Sequence, residues 1–217
     1  MYGDIRRWAQ QLPAGELVDL DDAQRAFPDK SRDALKMALR RLCRGNDPLM
    51  ARACRGIYCR RRVKARYPTP VPVEARNALA WRVAGPGAGS TGPYVINQIG
   101  WSTQVSPRPW LAVVGRPPRC PESGVVFVGR SNTKRLGLRR WEVSLLEATR
   151  CFDDWAEMPW SEALEKFRRN VQRGYYGDDV RSDLLLEAAE AERGLGSDFL
   201  PRCSALAAAA TSAIPVG

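Results

Sequence analysis

Residues 31–61 have the sequence SRDALKMALRRLCRGNDPLMARACRGIYCRR, which predicts a helix followed by a hairpin of two strands. Ser31 is a favoured N-cap residue, and the apolar residues after it recur at helical spacing until glycine and proline end the pattern at residues 45–48. Strands are predicted at 49–54 and 57–61, because Arg55-Gly56 suits a two-residue turn in which glycine takes a positive φ. The predicted buried stripe of the helix comprises Leu35, Ala38, Leu39 and Leu42.

The preceding residues predict two further helices and one short strand. Apolar residues at helical spacing indicate a helix over about residues 2–12, and Leu17-Val18 suits a short strand. Either Asp19 or Asp21 can cap a second helix that carries Leu20, Ala23 and Phe27. The order helix, short strand, helix, helix, hairpin is that of a winged helix-turn-helix. Residues 1–67 are therefore predicted to form a winged helix-turn-helix DNA-binding domain.

The positive charge of the chain is concentrated in this N-terminal part. The formal net charge of the 217 residues is +10. Residues 1–68 hold 16 Lys and Arg against 8 Asp and Glu, whereas residues 69–217 hold 18 against 16. Such asymmetry favours a polyanionic partner for the first part, and nucleic acid is the usual one. The alternative is a basic surface that only keeps the protein in solution.

In a winged helix-turn-helix the third helix lies in the major groove of DNA, and the hairpin forms the wing. Arginine suits this surface because its planar guanidinium donates two hydrogen bonds at once to a guanine edge or a phosphate. The alternative is that these cations are ordinary solvated surface, and the sequence does not separate base-reading from phosphate-binding residues. The predicted DNA-binding residues are Ser31, Arg32, Lys36, Arg40, Arg41 and Arg44 of the helix and Arg52, Arg55, Arg60, Arg61 and Arg62 of the wing, with Lys64 and Arg66 after them.

A proline-rich linker at residues 68–72 separates this domain from the rest of the chain. Its alternate prolines favour an extended segment and stop any helix. Residues 73–217 are predicted to form a mixed α/β domain, so that the fold class of the whole chain is α+β. Residues 85–93 are rich in glycine and proline and are predicted to be a break or a loop. Helices are predicted at 74–84, 94–100, 138–152, 161–172 and 179–192, and strands at 110–114 and 125–128.

Three stretches of the chain resemble the AbiEi-type antitoxins, the DNA-binding members of abortive-infection (type IV) toxin–antitoxin pairs. The first runs from the SRDAL of residues 31–35 to the RGIY of residues 55–58. The second is NQIGWSTQV at residues 97–105, and the third is the strand pair and helix that follow it. Together they cover about residues 1–172. The chain departs from the family in Asn97 and in Ile99-Gly100-Trp101, and nothing after Gly194 matches.

This resemblance implies an antitoxin that represses its own operon and counters a nucleotidyltransferase-like toxin encoded beside it. The implied partners are double-stranded operator DNA and the cognate toxin, and the C-terminal domain is the part associated with neutralising the toxin. The alternative is a stand-alone winged-helix repressor whose C-terminal domain senses a ligand or dimerises. The sequence determines neither the operator nor the oligomeric state.

Two clusters of the C-terminal domain are candidate contacts with a partner or with DNA. Ser102, Thr103 and Gln104 either contact a partner or cap a turn between a helix and a strand. The second cluster is basic, and it either meets DNA or an acidic toxin surface or is a solvated helix start. It comprises Lys134, Arg135, Arg139 and Arg140.

An enzymatic role is the least favoured interpretation. The chain has no histidine, which removes the commonest general base and excludes Ser–His and Cys–His nucleophilic catalysis. None of its six cysteines has CxxC spacing, so no structural zinc is expected and the thiols are predicted to be reduced and mostly buried. A metal-dependent enzyme acting on nucleic acid would have to use carboxylates such as Asp153, Asp154, Asp178, Asp179 and Glu187. We therefore expect no catalytic residue, metal or cofactor, and a cytoplasmic protein without a membrane segment.

Overall fold

The computed structural model describes residues 2–45, 48–62, 71–174 and 180–211. The fold is α+β, as predicted, and the chain divides into two compact units. The first unit comprises the described residues up to Val83 together with Arg119–Gly124. The second unit comprises Ala84–Pro118 and the described residues from Val125 onward.

The first unit has the element order that the sequence predicts. Strand β3 lies between β1 and β2 and is antiparallel to both, with Leu17 opposite Cys59 and Arg52 opposite Tyr58. Gly56 has φ +82° in the turn between β2 and β3, which explains why glycine is needed there. The elements are α1 (Tyr2–Gln11), β1 (Leu17–Val18), α2 (Leu20–Ala26), α3 (Arg32–Leu42), β2 (Met50–Cys54) and β3 (Ile57–Arg60).

The buried stripe of α3 is confirmed and forms the centre of the core of this unit. Trp8 and Phe27 close one side of this core with an edge-to-face contact, their ring centroids 5.8 Å apart. The N-termini of α2 and α3 are both capped by side chains. Asp19, not Asp21, is the N-cap of α2, and the Ser31 hydroxyl accepts a hydrogen bond of 3.3 Å from the backbone N–H of Ala34. The core residues are Ile5, Ala9, Val18, Ala23, Leu35, Ala38, Leu39, Leu42, Met50 and Tyr58.

The division into units differs from the predicted boundary, which places residues 73–217 in one domain. Helix α4 spans Val73–Ala84 and belongs almost entirely to the first unit. Of the predicted linker at 68–72, residues 68–70 lie outside the described residues. The segment Arg119–Gly124 also joins the first unit, where burial and the neighbouring Cys120 thiol raise the pKa of Cys54 to about 12.

Contacts of Arg82, near the end of α4, explain why this helix belongs to the first unit. Its guanidinium donates to the carbonyl oxygen of Leu17 at 2.8 Å and to Asp19 Oδ2 at 2.7 Å, and it also forms an ion pair with Asp22. Burial alone would raise the pKa of Asp19, but hydrogen bonds from the backbone of Asp22 and from Arg82 outweigh burial and lower it. Because these contacts bridge residues far apart in sequence, helical periodicity alone could not reveal them.

The second unit contains a three-stranded sheet and most of the helices. The strand order is β4-β5-β6, with β4 antiparallel and β6 parallel to the central β5. The predicted strands are confirmed, and Gly100 ends α5 with φ +80°, as expected for a C-terminal glycine. The elements are β4 (Gly89–Ser90), α5 (Gly92–Ile99), β5 (Trp110–Val114), β6 (Val126–Arg130), α6 (Arg140–Arg150), α7 (Phe152–Trp155), α8 (Trp160–Gln172), α9 (Ser182–Glu190) and α10 (Phe199–Thr211).

Three elements of this unit differ from the predictions. Strand β4 lies within the predicted break at 85–93, and the predicted helix at 138–152 is divided at Cys151 into α6 and α7. The region after Gly194, which matches nothing in the AbiEi-type antitoxins, contains α10, and this helix packs on α6, α8 and α9. Cys203 and Leu206 of α10 are fully buried, so apolar burial rather than intrinsic propensity alone stabilises this helix.

A buried network of ion pairs connects β6, α6 and the region after α9. Glu147 of α6 accepts hydrogen bonds from Arg130 at 2.8 and 2.7 Å, and it also accepts one from the Thr91 hydroxyl. Arg135 is completely buried and bridges Glu147 and Glu192, with N–O distances of 2.6 Å to each. Such pairs replace lost hydration with charge-assisted hydrogen bonds, and removing one partner leaves an uncompensated buried charge.

All six cysteines are free, as predicted, and Cys59, Cys120, Cys151 and Cys203 are buried.

Among the described residues, no helix combines the length and the apolar character that crossing a bilayer requires.

Changing Glu147 to Gln should destabilise the protein by about 3–5 kcal/mol at pH 7, because Arg135 would lose one of its two carboxylate partners. Burial raises the pKa of Glu147, but Arg130 and Arg135 outweigh burial and lower it to about 2. Because the folded pKa lies below the unfolded value of about 4.3, this stabilisation is complete above the unfolded pKa. It disappears as the pH falls through about 2. Urea unfolding of the wild type and of Glu147→Gln at pH 7 measures the cost of the substitution. The same comparison at pH 3 measures how far that cost decreases as the pH is lowered.

The matched control is Glu187→Gln, which removes a carboxylate from an exposed pair with Lys134. Both side chains of that pair are about half exposed, at 51% and 57%, so the expected cost is below about 1 kcal/mol. Equal costs for the two substitutions would contradict a structural role for the buried network.

Candidate nucleic-acid interface

A groove of about 260 Å³ lies between α3 and the β2–β3 hairpin of the first unit, and we call it the cationic groove. Leu20, Leu39 and Tyr58 supply its apolar wall, and these residues also belong to the core of the unit or pack on it. Four cations line the rest, two from each element. They are Lys36 and Arg40 of α3 and Arg52 and Arg55 of the hairpin.

None of these four cations forms an ion pair with a carboxylate in the described part of the chain. All four side chains are exposed, and Arg52 is oriented by a hydrogen bond of 3.2 Å from its Nε to the carbonyl oxygen of Cys54. Four like charges around one concavity repel each other, and an anion in the groove would relieve this repulsion. The groove therefore offers a complementary site for a phosphate group or another anion.

The exposed cations in and after α3 differ in whether they line the cationic groove. Arg40 lies two turns after Asp33, on the side of α3 opposite the buried stripe, whereas the exposed Arg44 lies beyond the end of the helix at Leu42. Lys36 lies toward the hairpin and lines the groove together with Arg40, whereas Arg41 lies on the other flank and is not among the lining residues. The predicted cations of α3 are thus all exposed, but only Lys36 and Arg40 face the groove.

The residues at the start of α3 already have partners within the protein. Ser31 caps the helix, and Arg32 pairs with Asp21 of α2 at 2.7 Å. Both side chains of this pair are more than half exposed, at 58% and 70%, so the pair contributes little to stability and can exchange Asp21 for another anion.

The predicted wing arginines beyond the hairpin turn do not share one environment. Arg60 is buried, and its Nη1 donates to the carbonyl oxygens of Leu49 and Arg61 at 3.1 and 2.9 Å. Arg60 is therefore not part of the exposed surface, contrary to the prediction that it is one of the DNA-binding residues. Arg61 donates to the Pro48 carbonyl at 3.3 Å, and the exposed Arg62 pairs with Glu74 at 3.4 Å. Lys64 and Arg66 lie outside the described residues.

The Ser102–Gln104 segment of the second unit forms a turn after α5. The Ser102 hydroxyl is buried and accepts a hydrogen bond of 3.0 Å from the N–H of Gln104. Thr103 donates to Glu157 from its backbone N–H at 2.6 Å and from its hydroxyl at 2.9 Å. Hydrogen bonds from Thr103 lower the pKa of Glu157. This geometry is that of the turn-capping alternative, and the side chains of Thr103 and Gln104 remain exposed.

The predicted basic cluster of the second unit is not a single surface. Arg135 is completely buried in the ion-pair network, so the prediction that it contacts a partner is wrong for the folded chain. Lys134 is exposed but pairs with Glu187. Arg139 and Arg140 are exposed at the start of α6, where the backbone N–H of Arg139 donates to Glu142 at 2.7 Å.

Two of the carboxylates considered for a metal-dependent enzyme, Asp153 and Glu187, have partners within the protein. Asp153 accepts two hydrogen bonds of 2.8 Å from Arg202. Across residues 2–45, 48–62, 71–174 and 180–211, no group of three or more Cys, Asp or Glu side chains is arranged to hold a metal ion. Asp178 and Asp179 lie outside these ranges.

Sequence reasoning missed two features of the N-terminal surface. Met37 is exposed in the middle of the cationic face of α3, although its place outside the predicted stripe could have revealed it. The apolar wall of the cationic groove was not predicted either. Leu20 and Tyr58 come from separate elements, and only the tertiary structure brings them together.

Comparisons with known proteins give little further information. No protein-family model matches the chain, and no curated protein matches it. Among solved structures, the chain is similar to the RV2827C protein from Mycobacterium tuberculosis, with a TM-score of 0.40 and 14% sequence identity. The similarity covers 95% of this chain and 75% of that one. A similarity this distant carries no conclusion about fold or function.

Changing Arg60 to Ala should lower the stability of the first unit by roughly 1–3 kcal/mol, because two carbonyl oxygens lose a charged donor. The control Arg62→Ala removes the same charge from an exposed pair and should change stability by no more than about 0.5 kcal/mol. Urea unfolding monitored by circular dichroism compares the two. An Arg60→Ala protein as stable as Arg62→Ala would show that the buried guanidinium is dispensable.

Proposed function

We propose that the first unit binds double-stranded DNA as a winged helix-turn-helix, with α3 in the major groove and the β2–β3 hairpin as the wing. The observation that carries the proposal is the cationic groove. Its four cations come from the two elements that contact DNA in such a domain, and none is neutralised by a described carboxylate.

The dimensions and charge of this surface suit duplex DNA better than a small anion. An α-helix is about 10–12 Å wide and fits the major groove, which is about 12 Å wide. Exposed cations continue beyond the groove to Arg41 of α3 and to Arg44 just after the helix. A row of cations longer than one pocket matches a row of phosphates, and about half to two-thirds of protein–DNA hydrogen bonds go to the sugar-phosphate backbone. We therefore assign Lys36, Arg40, Arg52 and Arg55 to contacts with the DNA backbone.

We extend the proposal to regulation on the strength of the resemblance to AbiEi-type antitoxins. On this proposal the protein binds operator DNA upstream of its own gene, represses its operon, and counters a nucleotidyltransferase-like toxin encoded beside it. The second unit would then provide the surface for neutralisation. Of the predicted contacts of this unit, Ser102 and Arg135 are buried, and the exposed ones remain candidates: Thr103, Gln104, Lys134, Arg139 and Arg140.

Removing two cations from the groove should weaken DNA binding and its dependence on salt. In the Arg40→Ala/Arg55→Ala variant, each lost phosphate contact should reduce the slope of log K against log salt by about 0.9. Affinity for the DNA upstream of the gene should fall roughly tenfold to a hundredfold. Fluorescence anisotropy at several salt concentrations measures both quantities, with a scrambled duplex for specificity.

The matched control is Arg6→Ala/Arg7→Ala, which removes the same charge from the exposed surface of α1. Equal losses in the two variants would indicate a general effect of net charge and not contact in the groove. An unchanged slope in the groove variant would exclude α3 and the hairpin as the DNA-binding surface.

The antitoxin part of the proposal has a separate test. Expression of the gene adjacent to this one should arrest growth, and co-expression of this protein should restore it. The Arg40→Ala/Arg55→Ala variant should still restore growth if neutralisation depends on the second unit. Colony counts under independent inducible promoters, which remove autoregulation, give the readout. Absence of toxicity, with DNA binding intact, would leave the stand-alone repressor as the function.

A further inference from the structure

Met37 stands on the exposed surface of α3 with 48% of its surface accessible. It lies one helical turn after Asp33 and one turn before Arg40 and Arg41, on the side opposite the buried Leu35 and Leu42. It does not line the cationic groove and does not belong to the core of the first unit. The exposed face of this helix therefore carries a thioether side chain among charged ones.

Packing of the first unit does not use the side chain of Met37. Met37 and Val73 are the only large apolar side chains of the described part of the unit that are strongly exposed, and Val73 is at the start of α4. Leaving the Met37 side chain in water forgoes the stabilisation that burial would bring. A partner that covers α3 would supply the missing burial.

The cations of α3 already account for contacts with the DNA backbone. Lys36 and Arg40 face the groove shared with the hairpin, where phosphates are expected. Met37 lies on the other side of Arg40 and has neither a charge nor a donor for a phosphate. Its position therefore suits the edges of the bases in the major groove.

We propose that Met37 determines specificity by contacting the C5-methyl group of a thymine. This inference rests on the proposed function, because it assumes that α3 enters the major groove. The thymine methyl is the apolar group that the four bases present in the major groove, and it distinguishes T·A from the other base pairs. The flexible, polarisable side chain of methionine adapts well to such a contact.

The test uses the full-length protein and duplexes enriched from a randomised DNA library. Each thymine of an enriched duplex is replaced singly by deoxyuridine, which lacks only the C5-methyl group. At one thymine the wild-type protein should lose about fourfold in affinity, which corresponds to one buried methyl group. The Met37→Ala variant should bind the thymine and deoxyuridine duplexes equally, and Met37→Leu should restore part of the discrimination.

The control variant is Val73→Ala, which removes the other exposed apolar side chain of the first unit and should discriminate as the wild type does. Any effect of deoxyuridine on the shape of the duplex is the same for every variant, so the comparison isolates the contact with Met37. Full discrimination retained in Met37→Ala, or no thymine that discriminates, would overturn the inference while DNA binding stands. Failure to enrich any duplex would instead overturn the proposed function.

Discussion

Burial of the apolar stripe of α3 is the constraint on which the first unit depends. Leu35 and Leu39 are completely buried, and each contributes roughly 1.5–3 kcal/mol through removal of its side chain from water. The helix packs on α1, α2 and β2 through this stripe, so that its rotation about its own axis is set by the core. Because one face must point inward, the charged residues and Met37 must point outward. The composition of the proposed DNA-binding surface is thus a consequence of core packing.

The hairpin completes this surface because its register is set by β1 and by Arg60. Pairing of β3 with both β1 and β2 makes it the central strand, and the buried Arg60 donates to the carbonyl oxygens of Leu49, just before β2, and of Arg61. Arg52 and Arg55 are consequently positioned next to Lys36 and Arg40. Arg60 stabilises the hairpin from within while Arg52 and Arg55 face solvent, although the three arginines look alike in the sequence.

The second unit depends on a different kind of interaction. Its buried carboxylates and guanidinium groups connect α6 with β6 and with Glu192 after α9, and apolar packing of α10 covers the same helix. Buried ion pairs favour one arrangement strongly, because any shift leaves a charge without a partner in a medium of low polarity. Several of its exposed side chains, among them Thr103, Lys134 and Asp153, are held by partners within the unit. If the unit binds a toxin, recognition must therefore use the fixed shape of the surface as well as its charge.

The sequence by itself determined the local elements of the first unit, because amphipathic spacing, the Ser31 cap and the Arg55-Gly56 turn depend only on near neighbours. It also determined the excess of positive charge and the strands β5 and β6. Only the tertiary structure decided that α4 joins the first unit through Arg82, that Arg60 and Arg135 are buried, and that four cations surround one groove. These features join residues that are distant along the chain. Residue type and local periodicity describe a side chain's propensity, whereas its partner and its exposure are properties of the packed chain.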